Sequence, residues 1–264
     1  MTLDRITLAT FRNHAATRLD ETRTLNLLVG ENGAGKTNVL EAISLLAPGR
    51  GLRRAPLGEM AGTTTQGGGF TISARLAAAA GPVQLGTGIE PEAPGRRIVS
   101  VNGAAASAAS LGEWLALGWL TPAMDRLFSD SAGARRRYLD RLALALDPAH
   151  ARHASRYEAA LRERNRLLAD PAPPDPAWLT SLEAQMAAAG APLAQGRARL
   201  VEALTGELAI FPEHPFARPA LAYQPGGAMD EAALAEQWAG SRARDRAAGR
   251  SLGGPHRDEL AVTM

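Results

Sequence analysis

Along the first hundred residues, apolar and polar positions alternate with the period of two that marks half-buried strands. Leu3-Asp4-Arg5-Ile6-Thr7-Leu8-Ala9-Thr10-Phe11 alternates in this way ahead of Arg12-Asn13-His14 and predicts an edge strand. Thr24-Leu25-Asn26-Leu27-Leu28-Val29 reads as a short buried strand. Segments 68–76, 82–89 and 97–101 read as three more, the last closed by the turn signal Asn102-Gly103. Between them, Asn38-Val39-Leu40-Glu41-Ala42-Ile43-Ser44-Leu45-Leu46 has helical spacing and stops before Pro48-Gly49. From Ser131 the period becomes helical. Ser131 is an N-cap for a helix with the stripe Tyr138, Leu139, Leu142 and Leu146, ended by Asp147-Pro148. A second helix is expected over 149–169, with Tyr157, Leu161 and Leu168 on one face. Proline-rich 170–176 breaks it, and a third stretch covers 177–208, with an interruption expected near Gly190-Ala191-Pro192. Two long helices about a proline turn predict an antiparallel hairpin arm. One more helix is expected over 230–246, ahead of Gly253-Gly254-Pro255.

With 264 residues and 45 % apolar content, the chain can bury a substantial core in one large or two ordinary domains. It has no cysteine, which excludes disulfide frameworks, thiolate metal sites and cysteine nucleophiles together. No stretch of about 18 apolar residues occurs, and the N-terminal residues lack a secretory apolar region. A cytoplasmic protein with no membrane partner is therefore expected. The net charge of +2 conceals an asymmetry in residue choice: Lys36 is the only lysine among 29 basic residues. Where any positive charge suffices this sequence uses arginine, so the retained lysine marks a place where a planar guanidinium does not serve.

Lys36 lies in Gly30-Glu31-Asn32-Gly33-Ala34-Gly35-Lys36-Thr37, a full match to G-x-x-x-x-G-K-[ST]. A strand before and a helix after are the flanks this loop requires, because successive backbone N–H groups and a helix N-terminus then converge on an anion. Gly30, Gly33 and Gly35 permit backbone angles and approaches that a Cβ obstructs. Lys36 supplies a compact ammonium for β- and γ-phosphates, and Thr37 a hydroxyl for Mg²⁺.

Further segments narrow the class. Phe11-Arg12-Asn13 precedes the loop, and Glu31-Asn32-Gly33-Ala34-Gly35-Lys36-Thr37-Asn38 continues through Val39-Leu40-Glu41-Ala42-Ile43. Three more follow: Gly49-Arg50-Gly51-Leu52-Arg53-Arg54, Arg135-Arg136-Arg137-Tyr138-Leu139-Asp140-Arg141 and Gly254-Pro255-His256-Arg257-Asp258-Glu259-Leu260. Together these resemble the RecF family of DNA repair ATPases, relatives of the SMC and ABC-type ATPases. The resemblance implies an α/β fold, a P-loop NTPase of the ABC/SMC type. Its N-terminal lobe would hold a mixed sheet, and an inserted helical domain would contain the antiparallel hairpin. The implied domains are 1–120 for the P-loop ATPase lobe, 121–248 for the helical domain and 249–264 for the start of a C-terminal ATPase half.

The same resemblance places ATP on Gly30, Glu31, Asn32, Gly33, Ala34, Gly35, Lys36, Thr37 and Asn38. It puts Arg12 and Asn13 beside the nucleotide and gives Thr37 to Mg²⁺. It implies single- and double-stranded DNA as partners at gaps and junctions, recombinase loading, induction of the SOS response, and RecR- and RecO-type partner proteins. It also implies a homodimer closed by ATP. The family's signature serine, Walker B acids and D-loop follow the Gly-Pro-His-Arg-Asp segment and find no match. The nearest candidate for an apolar run ending in acids, Leu142-Ala143-Leu144-Ala145-Leu146-Asp147, sits in a helical pattern. No glutamine that would sense the γ-phosphate is evident near Trp119-Leu120-Thr121-Pro122. The expectation is a truncated member that holds nucleotide weakly, hydrolyses it negligibly and does not form the ATP-dependent dimer.

Ten arginines between Arg126 and Arg166 face five acids, and five between Arg242 and Arg257 face Asp245 alone. Arginine on helices suits phosphate contact, and Arg135, Arg136, Arg137 and Arg141 are the candidate DNA residues. A solvated face with pairs such as Glu158–Arg162 is the plainer account of any one arginine. With aromatics at 5 % there is no stacking platform, so DNA binding should be backbone-driven and salt-sensitive. His150 and His153 are expected as a solvated pair, because no carboxylate or third histidine stands at a spacing that would complete a metal site. For His256, structural and catalytic roles both stay open. Two other functions remain: a small-molecule phosphotransferase on the same loop, and a nucleotide-independent remnant that binds only DNA or a protein partner.

Overall fold

The N-terminal alternation becomes a single six-stranded antiparallel sheet in the order β2-β1-β3-β4-β5-β6. Its strands are β1 Thr2–Phe11, β2 His14–Leu19, β3 Phe70–Ala77, β4 Val83–Ile89, β5 Ile98–Val101 and β6 Ala104–Ala105. The computed structural model describes residues 2–62, 68–78 and 81–263, and divides into two units, Met1–Trp119 and Leu120–Met264. β1 is interior, not the edge strand its pattern predicts. β2 folds back over it through the turn Arg12-Asn13, pairing Phe11 with His14. The pattern concealed β2 because His14-Ala15-Ala16-Thr17-Arg18 offers no large apolar residue to alternate. One sheet face, with Ile6, Leu8, Ile72 and Leu85 fully buried, packs on Ala42 of α1 (Lys36–Ser44) and on Leu45 and Leu46 just beyond its end. Phe11 and Phe70 meet edge to face at 5.1 Å.

Arg97 fixes the far end of α1. It donates to the carbonyls of Leu45, Ala47 and Gly49 and, at 2.8 Å, to Thr87 Oγ1. A cation there satisfies orphan carbonyls and complements the helix dipole. Burial pushes its pKa down to about 10, so it stays charged at neutral pH.

The buried strand expected at 24–29 does not form. Leu25, Leu27 and Val29 are 89 %, 86 % and 82 % exposed. A strand needs a neighbour for its backbone groups and a layer over its side chains. Among the described residues, no strand pairs with this segment.

The second unit contains α2 Ala132–Ala143, α3 His150–Ala169, α4 Pro176–Ile210, β7 Ala220–Gln224, α5 Glu231–Ala247 and β8 Glu259–Thr263. Ser131, Asp175 and Asp230 cap α2, α4 and α5 by accepting from backbone N–H groups. α2 ends at Ala143, which leaves Leu146 outside the expected stripe and exposed. α3 and α4 form the predicted hairpin, with Tyr157, Met186, Ala187 and Trp238 in its core. α4 runs unbroken through Pro192, against expectation. A helix-interior proline costs about 3 kcal/mol. Buried Ala187, Ala189, Ala191, Leu193 and Ala194 hold both sides of it against neighbouring elements. β7 and β8 pair antiparallel, with Tyr223 opposite Leu260, so residues 249–263 fold within this unit. No described helix is long and apolar enough to cross a membrane.

Candidate functional site

The glycine-rich loop leads directly into α1, whose N-cap is Gly35 in the left-handed conformation (φ 96°). A Cβ at Gly35 would lie 2.5 Å from His14 Nε2 and 2.7 Å from Asn13 Oδ1, so glycine is required here twice over. Gly33 also has positive φ, at 87°. Gly30 does not, and a Cβ there would make only ordinary contact with Ala34. Of the three loop glycines, two are therefore needed for backbone conformation.

Ala34 N–H donates to Glu31 O, and the Asn38 and Val39 N–H groups donate to Gly35 O. The N–H groups of Gly33, Gly35, Lys36 and Thr37 donate to no acceptor among the described residues. Lys36 Nζ lies against the loop itself, donating to Gly30 O at 2.7 Å and Glu31 O at 2.8 Å. Thr37 is exposed at the first turn. These orphan amides, a helix N-terminus and one ammonium suit a polyphosphate anion, and an exposed hydroxyl beside them suits its Mg²⁺. The residues fit ATP and Mg²⁺.

The neighbouring strand end is built onto this loop. Asn13 Nδ2 donates to Gly33 O at 3.1 Å, and His14 Nε2 lies 3.1 Å from Gly35 O. Asn38 Nδ2 donates to Asn13 Oδ1 at 2.8 Å. Arg12, at the hairpin turn, has φ 55°, unusual for a residue with a Cβ. Its guanidinium forms a two-pronged pair with the fully buried Glu41, Nε to Oε2 at 3.0 Å and Nη2 to Oε1 at 2.9 Å, while Nη1 reaches Glu59 O. Arg53 completes the cluster, its Nη1 donating to Glu41 Oε2 at 2.9 Å and Asn38 Oδ1 at 2.7 Å. Sequence reasoning missed Glu41 and Arg53 as site residues. The available signal was a carboxylate one helical turn beyond Thr37, next to the buried Ala42.

The candidate DNA arginines separate in the structure. Arg135 makes a bidentate pair with Glu259, at 2.6 and 2.9 Å, and Arg136 donates to Asp258 O. Arg141 is half-buried with its guanidinium over the Tyr138 ring. Arg137 is exposed. The Glu158–Arg162 pair forms at the surface, at 3.9 Å.

His150 corrects its sequence reading. It is 2 % exposed and bonded through Nε2 to Asp140 Oδ1 at 2.8 Å, not solvated. Asp140 lies ten residues away on another helix, a partner that spacing on one helix cannot reveal. The described residues hold no group of three or more metal-ligating side chains. Arg197 grips Asp140 through two bonds, at 2.8 and 2.9 Å, and Asp258 at 2.8 Å. Burial alone would raise the Asp140 pKa, but the His150 hydrogen bond and the Arg197 charge outweigh it and hold it below the usual range. His256 takes a structural place. Its Nε2 donates to Ser251 O at 3.0 Å, which leaves Nδ1 to accept from the Tyr157 hydroxyl at 2.8 Å. Burial lowers its pKa and keeps it neutral.

Comparison with known proteins places these features in context. The family described as an AAA domain matches residues 5–66. The DNA replication and repair protein RecF of Mesorhizobium japonicum is 47 % identical over 272 residues, covering 98 % of this chain and 71 % of the relative. The RecF protein of Caulobacter vibrioides is 44 % identical over 276 residues, with 97 % and 71 % covered. A solved structure described as the recombination mediator protein RecF with ATP in the RecFOR pathway superposes with a TM-score of 0.83. It is 23 % identical and covers 99 % of this chain and 73 % of that one. At that identity the likeness speaks for the fold.

Proposed function

Because the chain belongs to the RecF family of DNA replication and repair proteins, we propose that it binds MgATP at Gly30–Asn38 and contacts DNA. The observation that carries this reading is the set of loop amides, those of Gly33, Gly35, Lys36 and Thr37 among them, that find no acceptor around the chain's only lysine. Lys36 releases the Gly30 and Glu31 carbonyls and turns its ammonium to the β- and γ-phosphates, while the Gly33, Gly35, Lys36 and Thr37 amides take the remaining oxygens. Thr37 is the residue whose hydroxyl would hold a Mg²⁺, which would supply charge neutralisation on the phosphates. RecR- and RecO-type proteins are the proposed partners. DNA contact falls to exposed arginines such as Arg137, because Arg135, Arg136 and Arg141 are engaged within their own unit.

Calorimetry with MgATP tests the nucleotide half: the wild-type chain binds and Lys36→Ala weakens binding by at least about tenfold. No heat from the wild type would end this reading. For DNA, Arg137→Ala should weaken binding uniformly across sequences and make the salt slope shallower by about one.

A further inference from the structure

His14 touches the glycine-rich loop, and its contacts are with the protein. The ring bridges two groups: Nδ1 is 2.8 Å from Thr17 Oγ1, and Nε2 is 3.1 Å from Gly35 O. A carbonyl oxygen only accepts, so Nε2 carries the proton and Nδ1 accepts from the Thr17 hydroxyl. The Gly35 carbonyl does not need this bond to be satisfied. It already accepts from the Asn38 and Val39 N–H groups, at 2.8 and 3.1 Å. The ring also fills the space beside Gly35, where a Cβ would lie 2.5 Å from Nε2. What stands behind the histidine is rigid. His14 opens β2 and pairs with Phe11, which is fully buried and packed edge to face on Phe70.

We propose that His14 is a positioning residue of the anion site, acting through the Gly35–Lys36 peptide. The C=O and N–H of a trans peptide unit point in opposite directions. A donor fixed on Gly35 O therefore aims the Lys36 N–H the other way, and that N–H finds no acceptor among the described residues. Thr17 orients the ring, the ring orients the carbonyl, and the peptide presents its amide to the anion. The inference rests on MgATP binding at the loop, and it adds how the sheet holds the loop in its binding shape before the ligand arrives. The physical reason is pre-organisation. Gly33 and Gly35 make the left-handed turn possible, but they also leave the loop free to take other shapes. An amide that must be reoriented on binding costs affinity, and a clamp anchored in the sheet core removes that cost.

Imidazole nitrogen-15 spectra of the full chain, calorimetry with MgATP and melting without nucleotide test the proposal together. In the nucleotide-free wild type, His14 should be the Nε2–H tautomer. The Nδ1–H tautomer would turn a lone pair on Gly35 O and overturn the inference. His14→Phe keeps a ring of similar shape and loses the donor. It should weaken MgATP about fivefold, the effect of one hydrogen bond, while melting stays close to wild type. His14→Gln, whose Nε2 can reach the same carbonyl, should bind within about twofold of wild type. Wild-type affinity in His14→Phe, alongside loss in Lys36→Ala, overturns this inference and leaves the nucleotide reading standing. Equal losses in His14→Phe and His14→Gln, each with a lower melting temperature, overturn it in favour of a purely structural histidine. If His14→Phe fails to fold, the tautomer and His14→Gln decide. A wild-type chain that binds no MgATP overturns both readings.

Discussion

Arginine serves opposite purposes in the two units. Around the glycine-rich loop, one carboxylate is shared by two arginines, and Arg53 keeps two nitrogens without acceptors. In the second unit the buried arginines are each gripped by two carboxylates. Arg164, fully buried, bonds Glu183 and Asp245, and Arg197 bonds Asp140 and Asp258. Buried charge without compensation is costly unless something arrives to neutralise it. A surplus of positive charge therefore suits a place that receives an anion, and arginines matched by carboxylates suit a place that holds the fold. The same contrast runs through the backbone: loop amides such as those of Gly33, Gly35, Lys36 and Thr37 have no acceptor among the described residues, whereas Asp258 in the second unit accepts from Gly226 N–H and the Tyr223 hydroxyl.

The strongest way to break this comparison is to remove a neutralised arginine. Arg164→Met removes the arginine that Asp245 pairs with in the interior, leaves Glu183 only Arg242, and should cost about 3–5 kcal/mol, read from chemical denaturation. A loss below about 1 kcal/mol would mean the network is not what secures the helical unit.

Acid titration gives the next largest effect. His256 has a folded pKa below its ordinary 6.5, so the unfolded chain takes up that proton first. Stability from this group is complete above about pH 6.5 and declines as pH falls, by up to about 1.4 kcal/mol per pH unit. Asp140, lowered from 3.8, adds a second loss only below about pH 4. Denaturation midpoints of the wild type should fall between pH 7 and 5, and His256→Gln should flatten that slope. A wild-type profile flat over this range would remove His256 from the account.

Smaller effects are expected at the loop. Lys36→Ala and Arg53→Gln should each shift nucleotide-free stability by no more than about 0.5 kcal/mol, because their partners are surface carbonyls or a neighbouring arginine's carboxylate. A large stability loss in either would make the loop a folding element, not a ligand site. The smallest change belongs to 24–29. Leu27→Ser should be neutral in denaturation, in contrast to about 2–5 kcal/mol for Leu8→Ala in the sheet core. A comparable cost for Leu27→Ser would show that 24–29 is covered in solution.

Much of this was legible without coordinates, for reasons local to the chain. Ser131 caps its helix because a hydroxyl three residues before a free N–H needs no distant partner. The Asn102-Gly103 turn follows from the left-handed angles both residues adopt, φ 51° and 82°. The loop itself is a sequence-local device, and its lysine stood out by composition alone. The failures have a common cause as well. Residues 24–29 have strand chemistry, but strand formation depends on a neighbour that alternation cannot guarantee. β1 was misjudged because whether a strand is interior depends on a weakly patterned partner, β2. His150 was misjudged because its carboxylate sits on a separate helix.

Sequence alone determined the long helices, the Ser131 cap, four of the eight strands, the glycine-rich loop and its ammonium, since each depends on contacts within a few residues along the chain. Tertiary structure alone decided which carboxylate each arginine meets. Glu41 with Arg12 and Arg53 spans 29 and 12 positions, and Arg197 with Asp258 spans 61. An ion pair is fixed by distance in space and by the water excluded around it, and neither quantity is written into the spacing of residues.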